Sequence, residues 1–385
     1  MLRAGALRHL ATVTCHHHRM VKGRRERAQG FDDWDLPVKP PVSPMLASPA
    51  GDALPARDDL AFEPKWDGFR MLAFRAGDRI LLQGRSGDDL TYAFPEVAVA
   101  LLDALPDRAV IDGEAVVVRD GILDFTAMGS RLRPRSDSST IERLAREVPA
   151  TYVAFDLLAL GHRSLLDETY LTRRGHLDGL DMATTTVAVT PMTRDRDLAS
   201  RWFHAFEGGG LDGLMAKPQD APYAPGKRSL LKIKHRRTLD VVVAGWRGHA
   251  KDPDEVGSLL LGLYDNHGRL QHVGSASGFS ASRRRDITAH LSPYALPVVE
   301  PHPWLEPAEG VRRPGEVNRW NRGRDQSWHP LAPSLVAEVA YDQFEGDRLR
   351  HVATWLRWRP DRTASSCTYD QVAVPTAVDV TALLG

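Results

Sequence analysis

The chain has 385 residues, of which 42% are hydrophobic and 26% are charged, and Lys plus Arg equals Asp plus Glu at 50 each. This length predicts about two domains, and the composition is that of a globular protein with a substantial core. The balanced charge excludes a strongly basic or acidic chain, so any surface for a polyanion must arise from local clustering.

Cysteine usage and hydropathy exclude further classes. The chain has 2 cysteines, Cys15 and Cys367, which are too few and too far apart for a disulfide framework or a cysteine zinc site. A reducing cytoplasm fits this usage. The sequence has no apolar run of about 18 residues, so we expect no membrane span.

Residues 1–35 are predicted to be a disordered tail without a secretory signal. The tail contains His16–His18, which could bind a metal, but no carboxylate or cysteine is spaced nearby to complete a defined site. We therefore favour an unstructured tail or upstream sequence included in the reading frame. Met20 and Met45 are alternative starts.

The next part of the chain mixes strand and helix patterns. After an extended proline-rich segment at Pro37–Pro44, strand-like runs alternate with helical stretches up to about Ile233. The predicted strands are Met71–Phe74, Ala109–Val118, Thr151–Leu158 and Gly213–Ala216. The predicted helices are Phe94–Leu105, Ile141–Glu147 and Ala199–Glu207. This mixture predicts an α+β or α/β domain with an antiparallel component, at residues 40–237.

The pattern changes after His235–Arg237, where short strands and Gly, Asp and Asn turns follow one another. The predicted strands are Val241–Ala244, Leu259–Tyr264, Leu270–Gly274, Leu335–Tyr341 and Leu349–Arg359. A turn at Glu345–Asp347 joins the last pair. With one helical stretch at Ser282–Leu291, this pattern predicts a small barrel such as an OB-fold at residues 238–375. We place the boundary near Thr238–Asp240.

A candidate nucleophile lies in the segment Glu63–Arg70, where Lys65 begins the sequence Lys-Trp-Asp-Gly. A lysine becomes nucleophilic when burial or nearby cations favour its neutral amine. The adjacent Gly68 allows close approach of backbone and substrate. Asp-Gly is also a common turn dipeptide, so an exposed lysine in a turn is the alternative for this segment by itself.

Two apolar strands carry acids and an aromatic ring. Glu114 lies in Ile111–Val117, and Phe155 lies in Val153–Leu158 beside an aspartate. A carboxylate on a buried strand needs a cation or a metal. The alternatives are a solvated acid at the strand end and an ordinary core phenylalanine.

Lysines recur further along the same domain. Asp212 and Lys217 lie in Leu211–Lys217, and Lys232 and Lys234 are two residues apart. On a strand, both would point to one face, where two ammonium groups repel each other unless an anion such as a phosphate lies between them. A solvated basic edge strand is the alternative for this pair by itself.

As a set, these segments resemble the covalent nucleotidyltransferase superfamily of DNA ligases, RNA ligases and mRNA capping enzymes. The order K-x-D-G, D-G-E strand, F-D strand, acid-G-x-x-x-K and K-x-K is specific as a set and spans most of Met45–Lys234. Downstream segments are similar to the OB domain of bacterial ATP-dependent DNA ligases: Asp240–Gly245, Gly257–Gly262 and Arg357–Arg362.

The most similar types are the small C-type ligases and the ligase module of the D-type enzymes of bacterial end joining, with coverage from about Pro40 to Tyr369. This resemblance implies an α+β architecture: an adenylation domain of nucleotidyltransferase, ATP-grasp-like type, followed by an all-β OB-fold domain. It also implies an enzyme that joins DNA in three steps through a lysyl-AMP on Lys65.

Residue roles follow from the resemblance, with Lys65 attacking the α-phosphate of ATP. For the nucleotide, the resemblance implies that Glu63 lies near adenine, that Phe155 stacks on adenine, and that Arg70 and Arg85 hold ribose and the incoming 5′-phosphate. It implies that the α-phosphate is bound by Lys217, Lys232 and Lys234, and that divalent metal or a ribose hydroxyl is bound by Glu114 and Asp212. The leaving pyrophosphate would be oriented by Arg359, Asp361 and Arg362.

The expected cosubstrate is ATP and the expected metal is Mg²⁺ or Mn²⁺, because several anionic oxygens meet in one place. The expected partners are nicked or broken double-stranded DNA and end-joining repair proteins. We expect a cytoplasmic, nucleoid-associated monomer that acts in DNA repair without membrane contact.

The sequence departs from the superfamily pattern at two positions. Asp212 stands where Glu is usual, and Arg362 stands where Lys is usual, so metal reach and donor geometry change. The rival functions are an RNA ligase, a GTP-using capping enzyme and a non-catalytic nucleic-acid-binding scaffold. The intact set of lysines and acids argues against the scaffold.

Overall fold

A computed structural model describes residues 31–132, 138–235, 237–296, 301–306, 309–315, 326–372 and 378–384. The predicted histidine tail at 16–18 lies outside these residues. The chain divides into two compact units: residues 1–234 with 375–385, and residues 235–374. This division lies just before the boundary expected near Thr238–Asp240, and it returns the C-terminal segment to the first unit.

The strands of the first unit are, in chain order, β1 Leu46–Pro49, β2 Leu60–Pro64, β3 Phe69–Ala76, β4 Arg79–Gly84, β5 Arg108–Val116, β6 Val118–Arg119, β7 Ile122–Leu123, β8 Thr151–Leu160, β9 Arg163–Ser164, β10 Val187–Val189, β11 Leu214–Pro218 and β12 Arg228–Ile233. Within the described residues they form a four-stranded sheet, in the order β1-β12-β11-β2. A second sheet has six strands, in the order β10-β8-β5-β3-β4 with β9 beside β8.

Strand register brings the candidate site residues together. Antiparallel pairing places Arg70 of β3 opposite Glu114 of β5. In the smaller sheet, Met215 of β11 lies between Glu63 of β2 and Lys232 of β12. Lys65 follows directly after β2, so it leaves the sheet edge beside these strands.

The helices of the first unit are α1 Pro95–Ala104, α2 Phe125–Arg131, α3 Ser138–Glu147, α4 Tyr170–Asp178 and α5 Arg196–Ala205. The side chains of Thr169 and Asp195 accept hydrogen bonds from backbone N–H groups in the first turns of α4 and α5. Pro95 begins α1, where its fixed φ fits the first helical position. Short 3₁₀ turns occur at Thr91–Ala93, Phe206–Gly209, Ser292–Tyr294, Ala364–Ser366, Tyr369–Gln371 and Thr381–Leu383.

Apolar side chains fill both faces of the six-stranded sheet. On one face, Val97 and Leu101 of α1 and the preceding Phe94 pack against the sheet. On the other face, Trp34 is buried in a cluster with Phe74. Residues 31–35, which the sequence pattern assigned to the tail, therefore include a side chain of the first unit's core. Burying such side chains is the main favourable contribution to folding.

The second unit contains the strands β13 Arg237–His249, β14 Asp252–Tyr264, β15 Leu270–Ser277, β16 His329–Tyr341, β17 Phe344–Glu345, β18 Arg348–Leu349 and β19 Thr354–Trp358, and the helix α6 Ala281–Leu291. In its described part, five strands form an antiparallel sheet, in the order β15-β14-β13-β16-β19. The two edges meet where the Ala353 amide donates to the Ser275 carbonyl at 2.9 Å. This closure agrees with the barrel expected for an OB-fold.

One predicted strand of the second unit is wrong. Residues Leu349–Arg359 were expected to form a single strand paired with Leu335–Tyr341. Instead, the turn at Gly346, whose φ is +61°, closes a small hairpin of β17 and β18, and β19 begins only at Thr354. The residues on either side of the tight turn pair with each other in this hairpin. The chain therefore joins the five-stranded sheet only after the hairpin, at β19.

The helices within the described residues include none that is long and apolar enough to cross a membrane.

Candidate active site

Lys65 is fixed by backbone contacts on both sides. Its amide donates to the Gly213 carbonyl at 2.9 Å, and its carbonyl accepts from the Asp212 amide at 3.0 Å. A Cβ on Gly213 would lie 2.0 Å from the Ile233 carbonyl oxygen, and one on Gly68 would lie 2.0 Å from the Ala115 carbonyl oxygen. Both glycines therefore allow the lysine loop to lie directly against neighbouring strands.

Asp212 neutralises the lysine cluster. Its Oδ2 atom lies 2.6 Å from Lys65 Nζ and 2.8 Å from Lys234 Nζ. Burial raises the pKa of Asp212, but the two ammonium groups lower it more, so the net pKa lies below its usual value. Burial and the charges of Lys234 and Lys65 lower the pKa of Lys232. Lys65, Lys232 and Lys234 thus share one electrostatic environment.

A buried network surrounds Glu63. Its carboxylate lies 2.8 Å from Lys217 Nζ and 3.3 Å from the Arg174 guanidinium. The Tyr170 hydroxyl donates to the same carboxylate. Burial and the charge of Glu63 raise the pKa of Tyr170 well above its usual value, so the hydroxyl remains a donor. The Glu63 carboxylate is therefore engaged by protein groups rather than open to a base.

Phe155 lies among cations. Lys217 Nζ is 4.8 Å from the centroid of the Phe155 ring and donates to the Phe155 carbonyl at 2.8 Å. The guanidinium carbon of Arg70 is 5.3 Å from the same ring. The ring is only partly buried. An aromatic face with cations at its border suits a planar base that is joined to a phosphate.

Arg70 is held by the carboxylate of Asp112, a residue that was not among the predicted site residues. Its Nε and an Nη atom donate to the Asp112 oxygens at 3.0 and 2.5 Å, and its other Nη atom donates to the Met45 carbonyl. The Tyr223 hydroxyl donates to Asp112 at 2.7 Å. Burial opposes the charge of Arg70, but Asp112 raises its pKa above the usual value. Arg70 therefore supports the site as a fixed cation.

Glu114 differs from Asp212 in its protonation. It accepts a hydrogen bond from the Gly68 amide at 3.1 Å. Burial raises the pKa of Glu114 to about 7, although the charges of Lys65 and Arg70 oppose the rise. Glu114 can therefore change its charge near neutral pH. Among the described residues, no group of three or more His, Cys, Asp or Glu side chains could hold a metal by itself.

Two further sets of predicted residues lie elsewhere. Arg85 is exposed in the turn after β4. In the second unit, the Arg359 guanidinium pairs with Asp361 at 2.7 Å and with Asp240 at 2.9 Å. Arg362 lies 3.3 Å from Asp240. The hydrogen bond that Arg359 donates to Asp361 is the largest cause of the raised pKa of Arg359, although burial opposes it.

Several side chains of the site were not predicted. Tyr170 and Arg174 reach Glu63 from α4, where a spacing of four residues places both on one helix face. Arg173 pairs with Asp156 at 2.7 Å, and both are buried. Arginines on a helix are ordinarily exposed to solvent, so the local pattern did not predict these buried ion pairs. Only arginines on an otherwise apolar helix would have suggested them.

Comparisons with known proteins cover most of the chain. The family model described as ATP dependent DNA ligase domain matches residues 44–234, and that described as ATP dependent DNA ligase C terminal region matches residues 252–362. The DNA ligase C2 of Mycolicibacterium smegmatis is 46% identical over 348 residues, which are 89% of this chain and 97% of that protein.

A more distant relative is the multifunctional non-homologous end joining DNA repair protein LigD of Mycobacterium tuberculosis. It is 30% identical over 90% of this chain and 41% of its own length. A solved structure from a study of Lig E DNA ligases has a TM-score of 0.50 at 19% identity, covering 82% of this chain and 99% of that chain. The latter is a likeness of fold alone.

Proposed function

This chain belongs to the family of ATP-dependent DNA ligases, and we propose that it joins DNA strands through an AMP carried on Lys65. The observation that carries this assignment is the shared contact of Lys65 and Lys234 with one Asp212 oxygen, at 2.6 and 2.8 Å. It puts the candidate nucleophile inside a cationic cluster that suits a phosphate.

In the first step, the amine of Lys65 attacks the α-phosphorus of ATP. The new N–P bond replaces the bond from the α-phosphorus to the bridging oxygen, and pyrophosphate leaves. Going from ammonium to phosphoramidate, Lys65 loses two protons. The entering triphosphate competes with Asp212 for the cations, and Lys232 and Lys234 stabilise the negative charge that develops on the α-phosphate.

For the nucleotide, the proposed base site is the face of Phe155. Glu63 was expected to offer its backbone and carboxylate near adenine, and Tyr170, Arg174 and Lys217 occupy the carboxylate. We therefore assign Glu63 the role of holding Lys217 against the Phe155 ring, where its ammonium can meet the α-phosphate.

In the later steps, AMP passes to the 5′-phosphate of a nick, and the 3′-hydroxyl displaces AMP to form the phosphodiester. Arg85 is the better candidate for the 5′-phosphate, because the N–H groups of Arg70 already donate hydrogen bonds to Asp112 and Met45. Arg359, Asp361 and Arg362 retain the proposed role with the departing pyrophosphate, which rests on their sequence motif.

The divalent metal is also part of the proposal. Glu114 offers a carboxylate with a pKa of about 7, and it would take Mg²⁺ or Mn²⁺ together with phosphate and water oxygens. Such a cation neutralises charge on the phosphate oxygens. Asp212 would lose one of its two ammonium partners once Lys65 has been adenylylated, because the phosphoramidate nitrogen no longer carries a positive charge. A metal cation could then replace that partner, beside Lys234.

The proposed role is DNA repair at nicks or breaks, as a cytoplasmic, nucleoid-associated monomer. The end-joining name of the LigD relative supports a place in break repair, together with end-joining proteins. The test is the sealing of a labelled nick in duplex DNA, compared with the same nick in RNA and with ATP or GTP as cosubstrate. Sealing of nicked DNA with ATP supports the proposal, and activity confined to RNA or GTP contradicts it.

A further inference from the structure

A small apolar cluster lies directly behind the candidate catalytic residues. It contains Trp66, Val116 and Leu211. Trp66 follows Lys65, Val116 is two residues beyond Glu114, and Leu211 precedes Asp212. Trp66 is 4% exposed, and its indole donates to the Thr190 hydroxyl at 2.8 Å. The packing of this cluster therefore bears on three separate segments of the site.

The C-terminal segment completes the same cluster. Val380 is fully buried within it, and Leu383 and Leu384 pack against it. The Val380 amide donates to the Gly121 carbonyl at 2.8 Å. The Asp379 carboxylate accepts from the Thr381 amide at 2.9 Å and so holds the turn that follows. The segment is thus seated by both apolar and backbone contacts.

Two glycines make room for this segment. A Cβ on Gly209 would lie 2.2 Å from Val380 Cγ1, and a Cβ on Gly121 would lie 2.8 Å from Asp379 Oδ1. At Gly209 the conflict is with a branched side chain that is buried on all sides. The space beside Gly209 therefore fits the side chain of Val380, which lies about 170 residues further along the chain.

We propose that the segment 378–384 is a positioning element for lysine adenylylation, with Val380 as its central residue. Through Trp66 and Leu211, it fixes the loop of Lys65 and the adjoining Asp212. This inference rests on the proposed role of Lys65. Val380 is a buried apolar residue of this cluster and has no group that could react, so its role is that of a positioning residue.

We expect the loss of Val380 packing to lower the rate constant of lysine adenylylation, the chemical step. A buried Val→Ala change leaves space into which Trp66 can relax, and a displacement near 1 Å at a reacting group costs up to about a hundredfold in rate. We expect Val380→Ala to lower the rate constant of self-adenylylation about tenfold. The cluster also contains Val153, which lies two residues before Phe155 on β8, so the KM for ATP is measured beside the rate constant. A positioning role at Lys65 predicts a larger change in the rate constant than in the KM.

The experiment is single-turnover self-adenylylation of the full-length protein with labelled ATP and Mg²⁺. Loss of folded protein lowers the amplitude, whereas misplacement of Lys65 lowers the rate constant. The matched control is Val97→Ala, since Val97 is fully buried in a different core cluster of the same unit. The slow rate should appear in Val380→Ala and should be absent from Val97→Ala.

Gly209→Ala tests the seat without altering the C-terminal segment. Its new methyl group should displace Val380 and slow adenylylation, whereas adding Val380→Ala removes the clashing Cγ1 atom. The double variant should be no slower than Val380→Ala. A parent rate constant in Val380→Ala, or an equal slowing in Val97→Ala, overturns the inference. Labelling of Lys65→Ala would instead overturn the assignment of the nucleophile.

Discussion

Lys65 Nζ lies 2.6 Å from Asp212 Oδ2, so the candidate nucleophile rests as one half of an ion pair. The same oxygen pairs with Lys234 at 2.8 Å. An ammonium group in such a pair cannot attack phosphorus, because its lone pair is protonated. In the proposed reaction, the pair opens or loses a proton when the nucleotide arrives, so Asp212 would link nucleotide binding to the reactivity of Lys65.

The first prediction concerns Asp212. Replacing it with Ala should lower nick sealing on the order of a hundredfold, because the lysines lose their counter-charge and the site loses a carboxylate. Asp212→Glu restores the usual residue of the family, so it should retain sealing and shift the preference between Mg²⁺ and Mn²⁺. The measurement is the sealing rate across a titration of each metal. Parent rates for Asp212→Ala in both metals would reduce Asp212 to a strand-end residue.

The second prediction concerns pH. Because Glu114 has a folded pKa of about 7 against an ordinary 4.5, the folded protein binds more protons than the unfolded chain between these values. Stability from this group is therefore present below about pH 4.5 and is lost as pH rises through 7, by at most about 3 kcal/mol. In urea unfolding from pH 5 to 8, Glu114→Gln should lose less stability than the parent. Parallel curves would contradict the raised pKa of Glu114.

The third prediction concerns the Glu63 network. Glu63→Ala leaves Lys217 without its buried counter-charge and removes one partner of Arg174, which keeps its ion pair with Asp178. It should therefore lower the free energy of unfolding by about 3 kcal/mol. Tyr170→Phe keeps the ring and removes one donor, and it should cost about 1 kcal/mol. Urea denaturation followed by tryptophan fluorescence measures both. If the two variants lost equal stability, the ion pairs would not be the main contribution of Glu63.

The fourth prediction separates the steps of the reaction. Arg359→Ala should slow self-adenylylation at least about tenfold, because its proposed role is with the leaving pyrophosphate. The same variant should seal a nick that already carries AMP on its 5′-phosphate at close to the parent rate. Arg362→Lys, which restores the usual residue, serves as the control and should react normally. An equal loss in both assays would place Arg359 outside the pyrophosphate step.

Sequence patterns predicted the parts of the fold in which the local hydrophobic pattern of a segment matches its burial in the folded unit. The apolar runs at Ala109–Val118 and Thr151–Leu158 became β5 and β8, because strands buried on both faces must be apolar along their length. The five-stranded closed sheet of the second unit was also expected from its spacing of short strands. The small hairpin around Gly346 was not, since a turn signal does not tell how far its strands extend.

The site was only partly accessible to the same reasoning. Lys65, Asp212 and Lys234 were expected to serve one reaction, and the structure brings them within ion-pair distance. Asp112, Tyr170 and Arg174 were missed because their partners are more than 40 residues away in sequence. The burial of Val380 was not predicted either, since a short apolar segment near a chain end has no periodicity that shows where it packs.

The most direct test of the central claim is the intact mass of the protein after incubation with ATP and Mg²⁺. The parent should gain the mass of one AMP, in a bond that acid breaks and base leaves intact, as a phosphoramidate requires. Lys65→Ala should gain none, while Lys234→Ala should gain it slowly. An AMP adduct on Lys65→Ala at the parent level would contradict the assignment of Lys65 as the nucleophile.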